Sequence, residues 1–375
     1  MKPGVYDNIP NDEYHGGPGI SKSGLDLIHR SPMHYHAVVT AANDNRQPTP
    51  AQAIGTAAHA LILEPAEFTK QYCLGLRRQD VPAAIDDREE LVAMVAKLNE
   101  GRLPKLSTSG SKAELVERIR EAKPEHQELD VTQLDAMKGA DLKAILDGLN
   151  QARHGLLPTS GSRHDLAAIL RANGVEVTLW SDVQAEWLAN NGTRSVLTQE
   201  QWDMLHGMRE AVMAHPAASA LLSKLPGKAE LSVYWSDAVT GSLCRCRPDY
   251  WREDDLLVDL KTTEDASPEG FSKSIANYRY DVQAAYYLDG VNQATGRKPR
   301  QFVFIAVEKK PPYAVGVYTL DAETLMLGRA QYQADLRTYA ECVANDNWPG
   351  YGDKIQKISM PGWHANKNQH LLDNN

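Results

Sequence analysis

RPDYWREDDLLVDLKTT, residues 247–263, contains the pattern around which the rest of the chain is read. LLVDLKTT (256–263) has the β-branched, apolar character of a short buried strand. Side chains alternate faces along a strand, so Asp259 and Lys261 project to one side while Leu260 points into the core. Asp249 lies ten residues before Asp259, at the expected end of the preceding strand, where it can return beside it. Two carboxylates converging on one face offer the hard oxygen ligands that suit Mg²⁺ or Mn²⁺. A lysine beside them can neutralise charge on a phosphoryl transition state or lower the pKa of an attacking water. A turn aspartate followed by an ordinary ion pair on a surface strand accounts for the same tripeptide without chemistry.

Outward from this stretch, the chain reads as a mixed central sheet flanked by helices, an α/β fold. AELSVYW and SLCRCRPDYW flank the turn SDAVTG and form a hairpin. SKSIANYRYDVQAAYYLDGVNQATG reads as one long helix ended by Gly296, and FVFIAVEKK and YAVGVYTL as two strands around Pro311-Pro312. DAETLMLGRAQYQADLRTYAECV closes the domain as a helix. Upstream, LTQEQWDMLHGMREAVMAHPAASALL is a helix interrupted at Pro216. The expected strand and helix order is β-β-β-α-β-β-α. Near the N-terminus, Ser21 or Ser23 caps a helix carrying Leu25 and Ile28 that halts near Ser31-Pro32. A polar linker, AANDNRQPTPAQ, precedes a second helix entered after Gly55 and ending before Pro65.

Residues 76–185 differ in character and hold an internal repeat at an offset of 51. LVAMVAKLNEGRLPKLSTSGSKAELVERI (91–119) aligns without gaps to LKAILDGLNQARHGLLPTSGSRHDLAAIL (142–170). Each copy has a Leu-rich helix, a loop with TSGS, and a second helix capped by Ser111 or Ser162. Glu114 or Asp165 stands where a capping-box acid belongs. Each copy is expected to close as a helical unit, the pair forming a small all-α insert. These copies resemble the HeH/SAP-like helix–extended loop–helix family, some members of which bind DNA. A spacer or protein-docking arm reads the same residues equally well. The expected domains are a core of 1–75 and 190–360, the insert 76–185, and a polar, frayed tail 361–375.

Composition bounds the mode of action. The 375 residues are 42% hydrophobic and 24% charged, a soluble globular mixture, and no apolar run approaches a bilayer span. MKPGVYDNIPNDEYH has no apolar core, so a secretory leader is not expected. Four cysteines form no CxxC pair, which fits a reducing cytoplasm. A net charge of −9 excludes broad, nonspecific coating of nucleic acid but leaves room for a locally basic channel.

Several matched blocks carry a family resemblance. Pro248-Asp249 and Asp259-Leu260-Lys261 match the PD and (D/E)XK of the PD-(D/E)XK nuclease superfamily. Gln283 and Tyr287, four apart on one helix face, match the QxxxY signature of its exonuclease branch. GPGISKSGLDLIHRSPMHY, GTAAHALILEPAEF with His59, and YW-D-x-x-TG-x-LCRCRPD follow in one order. The chain thus resembles the exonuclease VIII (RecE) nuclease domain over about residues 4–75 and 195–360. That resemblance implies a metal-dependent exodeoxyribonuclease that degrades linear double-stranded DNA 5′→3′ and leaves 3′ tails for recombination, of phage or prophage type. It implies metal ligation by His59, Asp249, Asp259 and the Leu260 carbonyl, with Glu230 as a further candidate acid. It further implies that Lys261 is the catalytic residue, with Gln283 and Tyr287 in support. It also implies Mg²⁺ with Mn²⁺ as substitute, a ring-shaped homo-oligomer, a single-strand annealing recombinase as partner, and the cytoplasm of a bacterial or phage-infected cell. The repeat-bearing insert departs from that domain. Alternatives are a relative acting on single strands or internally, a non-catalytic DNA-binding module, and a scaffold built around the repeats.

Overall fold

A computed structural model describes residues 1–41, 49–122 and 131–373. Part of the polar linker expected at 41–52 lies outside the described residues. The chain divides into two compact units, Met1–Tyr72 with Val196–Asn375, and Cys73–Ser195.

The first unit is a mixed α/β fold. Its strands are β1 (Gly4–Tyr6), β2 (Gly227–Ala229), β3 (Ser232–Ser236), β4 (Leu243–Cys246), β5 (Tyr250–Arg252), β6 (Leu256–Thr263), β7 (Gln301–Glu308) and β8 (Val315–Thr319). The helices that matter here are α1 (Lys22–Arg30), α2 (Pro50–Leu63), α3 (Gln199–Ala214), α4 (Pro268–Tyr278), α5 (Tyr280–Thr295) and α6 (Ala322–Asn345). One sheet has the order β1-β3-β4 and the other β8-β7-β6-β5-β2. Only β6 and β7 run parallel in the larger sheet. A parallel pair needs a crossover, and α4 and α5 provide it.

Alternation along β6 divides its side chains between two apolar layers. Val258 and Leu260 pack with Ala57 and Leu61 of α2 and Leu205 and Met208 of α3. Leu257 packs with Phe271 of α4 and Val282 and Ala285 of α5. Each fully buried leucine contributes about 1.5–3 kcal/mol, so the register of β6 is firmly set. At Gly328, α6 lies so close to α5 that a Cβ would run into the Asp281 carbonyl. This contact seats the start of α5.

Several expectations change. The hairpin strands are each split, because β2 and β5 pair in the larger sheet while β3 and β4 pair in the smaller. Five strands therefore lie between α3 and α4 where three were expected, and Asp249 stands in the bend between β4 and β5 rather than at a strand end. The long helix over 272–296 breaks at Arg279, whose left-handed backbone (φ 54°, ψ 48°) ends α4 and begins α5. Gly296 does end α5, also left-handed. α2 starts at Pro50 rather than after Gly55, because Thr49 and Gln52 cap it reciprocally. The tail forms a helix, Gly362–Asp373, in which Asn368 Nδ2 donates to the His364 carbonyl at 2.8 Å. Ser21 is the residue that caps α1.

The second unit contains both repeat copies, and they do not close separately. Leu91 and Val95, from the first helix of copy one (Arg88–Asn99), pack with Leu166 and Leu170 from the second helix of copy two (Arg163–Ala172). Reciprocally, Leu115 and Ile119 of copy one pack with Leu142 and Leu146 of copy two. The loops exchange in the same sense. Asn99 donates to the Leu157 carbonyl and accepts from its N–H, at 3.0 and 2.8 Å. Asn150, the equivalent residue, does the same for Leu106 at 2.9 and 2.8 Å. Extended-loop backbone needs partners outside a ladder, and a carboxamide from the other copy supplies both a donor and an acceptor. Ser111 and Ser162 cap their helices through Glu114 and Asp165.

Candidate active site

The site forms where the β2–β3 and β4–β5 segments pass together from one sheet to the other. At that bend Glu230 adopts φ 53°, and its N–H donates to the Asp249 carbonyl at 3.2 Å. A left-handed non-glycine residue costs on the order of 1 kcal/mol and persists where its surroundings enforce it. Arg247 braces the other side. Its guanidinium donates to Ser232 Oγ (3.0 Å) and the Ile9 carbonyl (3.0 Å) and lies 3.9 Å over the Tyr14 ring. Pro248 and Asp249 follow from that fixed point.

β6 pairs with β5 only through Leu257 and Val258, so its edge is open beyond them. There the Leu260 N–H donates to Asp249 Oδ2 at 2.7 Å. The N–H and C=O of one strand residue face the same edge, so the Leu260 carbonyl also faces Asp249. From α2, His59 Nδ1 comes within 3.4 Å of Asp249 Oδ2. One donor atom from each of His59, Glu230 and Asp249 lies within 4.8 Å of the others. Burial, then the nearby Asp249 carboxylate, pushes the Glu230 carboxyl up to about 8. Two carboxylates and an imidazole held this closely fit a divalent cation, whose charge would relieve that repulsion.

Asp259 and Lys261 sit beside this cluster on the α5 face of β6. Asp259 is fully buried; its Oδ1 accepts from Gln283 Nε2 at 2.6 Å and its Oδ2 lies 2.5 Å from Lys261 Nζ. Burial, reinforced by Asp249, raises the Asp259 carboxyl to about 6, although Lys261 opposes the rise. Burial alone would lower the Lys261 ammonium, but Asp259 and Asp249 outweigh it and hold it above its ordinary range. Asp259 is thus adjacent to the three-residue cluster and engaged by Lys261 and Gln283 rather than part of it. Tyr287, one turn beyond Gln283, lines a cavity of about 630 Å³ together with His59, Glu230 and Asp249. A second cavity of about 440 Å³ is lined by Lys261, Tyr278 and Tyr280, and it shares Gly55 and His59 with the first.

Glu230 was the weakest of the sequence candidates, yet it completes the cluster. Its only sequence signal was an acid at the head of an apolar strand. The sequence assigns no role to Tyr278 or Tyr280.

The family described as "PDDEXK-like domain of unknown function (DUF3799)" matches residues 176–361, a span that includes every residue of the site except His59. Residues 176–361 of the chain thus carry a PDDEXK-like domain. Among solved structures, it is similar to a candidate exonuclease from Eubacterium rectale, with TM-score 0.46 and 10% identity over 95% of this chain and 97% of that one. It is also similar to a phage-related exonuclease from Haemophilus somnus 129PT, with TM-score 0.27 and 12% identity over 50% of this chain and 91% of that one. At these scores neither likeness bears on function. No curated protein matches the chain.

Proposed function

We propose that this protein is a metal-dependent exonuclease that degrades linear double-stranded DNA 5′→3′, leaving 3′ single-stranded tails for recombination. The observation that carries this reading is the meeting of His59, Glu230 and Asp249 at one bend beside the Asp259–Lys261 pair. Mg²⁺, or Mn²⁺ in its place, supplies Lewis-acid polarisation of a phosphate and a lowered water pKa when bound. His59, Glu230 and Asp249 would hold it, with the Leu260 carbonyl on the same edge and Asp259 next in line. Lys261, kept charged by Asp259, brings its ammonium to the phosphate, where negative charge grows during attack. Gln283 fixes the Asp259 carboxylate and thereby the lysine, so it is a positioning residue. Tyr287 walls the cavity.

The acidic exterior, with net charge −9, favours gripping DNA inside a channel over coating it. A ring of several copies would form such a channel, and an annealing recombinase in the cytoplasm of the bacterial or infected cell would take the tails. No helix among the described residues is long and apolar enough to cross a membrane.

The test is digestion of 5′-labelled linear duplex and of covalently closed circle, in Mg²⁺ and in excess EDTA. The linear form should be consumed with early release of the 5′ label, in Mg²⁺ alone. Cutting of the circle, or activity in EDTA, would overturn the reading.

A further inference from the structure

Tyr278 and Tyr280 lie on either side of the helix break, and the break brings their rings together. Two residues apart on a continuous helix, they would point to nearly opposite sides. With Arg279 left-handed between them, the rings stack at 5.6 Å and 28°. Arg279 is held in that conformation by ion pairs to Asp26 (2.9 Å) and Asp335 (2.5 Å). Lys22 adds a hydrogen bond to the Tyr278 carbonyl at 2.7 Å. The outer ring, Tyr278, is 61% exposed, while Tyr280 is half-buried against Phe271. Both line the 440 Å³ cavity that contains Lys261 and reaches His59. The Lys261 ammonium stands 4.8 Å from the Tyr280 ring centre, and that of Lys22 stands 6.0 Å from it.

We propose that Tyr278 and Tyr280 form a shelf on which one unpaired nucleobase of the substrate strand stacks, next to the phosphodiester presented to Lys261. The proposal rests on the nuclease reading of the site. A flat aromatic face, open on its outer side and adjoining lysine ammoniums, matches a nucleotide: the base takes the ring and the phosphate takes the charge. The cavity, about 440 Å³, is within the roughly 300–1,000 Å³ class of small-ligand sites, a size that suits one unpaired nucleotide. On this shelf the strand end leaves the duplex before it is cut, so ends that fray readily should be processed faster.

The test is a double-mutant cycle with the full-length protein in Ca²⁺. Wild type and Tyr278→Ala are each titrated with duplexes carrying a short unpaired 5′ end. An abasic site is placed at each of the first three nucleotides in turn. Because Tyr278 is largely exposed, its truncation leaves the fold intact, and Tyr278→Phe serves as the conservative variant. Tyr278→Ala should weaken binding of the intact end by about 5- to 150-fold, the range for one base–aromatic stack. It should have no further effect on the duplex that is abasic at the stacked position, and Tyr278→Phe should bind like wild type. In Mg²⁺, KM should rise while the saturated single-turnover rate stays within about threefold of wild type. Equal losses on intact and abasic ends at all three positions, or no loss at all, overturn the shelf while leaving the nuclease reading standing. Wild-type protein that neither binds nor cuts DNA overturns both.

Discussion

Gln283→Leu removes one hydrogen bond and keeps the volume, and its consequence can be worked out. Gln283 Nε2 donates to Asp259 Oδ1 at 2.6 Å in a fully buried setting. A hydrogen bond to a charged group is worth about 1.5–3 kcal/mol, and a pKa unit corresponds to about 1.36 kcal/mol. The lost donor had favoured the ionised carboxylate, so Asp259 must titrate higher, by roughly one to two units. Starting from about 6, the group would move into roughly the 7–8 range. Ionised Asp259 keeps Lys261 in place, so activity is lost as pH falls through the folded pKa, and the variant loses it at higher pH. At pH 7 the ionised fraction drops from about nine-tenths to between a half and a tenth, and at pH 9 it is largely restored. The assay is single-turnover cleavage of linear duplex from pH 5.5 to 9.5 at one fixed Mg²⁺ concentration. A bound cation lowers both profiles, so the two acidic limbs are compared with each other at the same Mg²⁺ concentration. A uniform loss across the range, with the acidic limb unmoved, would mean that Gln283 does not act through Asp259.

Lys261→Ala should lower the single-turnover rate by ~10²-fold or more with Ca²⁺-supported DNA binding preserved, because the ammonium acts on charge that develops during attack. Cleavage at the wild-type rate would remove β6 from the mechanism. Mn²⁺ binding should release a proton near neutral pH, since Glu230, at about 8 without metal, must ionise to become a ligand. Calorimetry in two buffers of different ionisation enthalpy should show this release, with affinity climbing between pH 6 and 8; a pH-independent affinity would contradict it. A fragment of residues 86–122, holding one repeat copy, lacks the helix that its apolar face packs against. It should pair with a second fragment in the swapped arrangement, and sedimentation showing a folded monomer would refute the exchange.

What was legible in the sequence was local. The two-residue period placed Asp259 and Lys261 on one face, and the TSGS repeat gave its own caps. Thr198, Ser267 and Asp321 are helix caps of the ordinary kind, each accepting from a backbone N–H of the first turn. What was hidden depends on contacts far apart in sequence. Nothing near Arg279 breaks a helix; the carboxylates that hold it left-handed are Asp26 and Asp335. Likewise, LCRCRPDYW alternates like one strand, and the change of sheet within it is set by pairing with β3 on one side and with β2 and β6 on the other. Glu230, a further candidate in the sequence, is joined to His59 and Asp249 in one cluster only by that bend, which brings it beside Asp249. The repeat period identified two copies, but each copy alone is consistent with closing on itself or on its neighbour.

The account's central claim is that His59, Glu230 and Asp249 hold the cation that cleavage requires. The direct measurement is Mn²⁺ binding by electron paramagnetic resonance on wild type, Asp249→Asn and Glu230→Gln, with linear-duplex cleavage in Mn²⁺ followed on the same samples. Wild type should bind Mn²⁺ and cut. Both variants should fold, bind Mn²⁺ at least tenfold more weakly, and regain part of their cleavage as Mn²⁺ is raised. Asp249→Asn protein that keeps wild-type Mn²⁺ affinity and wild-type cleavage would contradict the account.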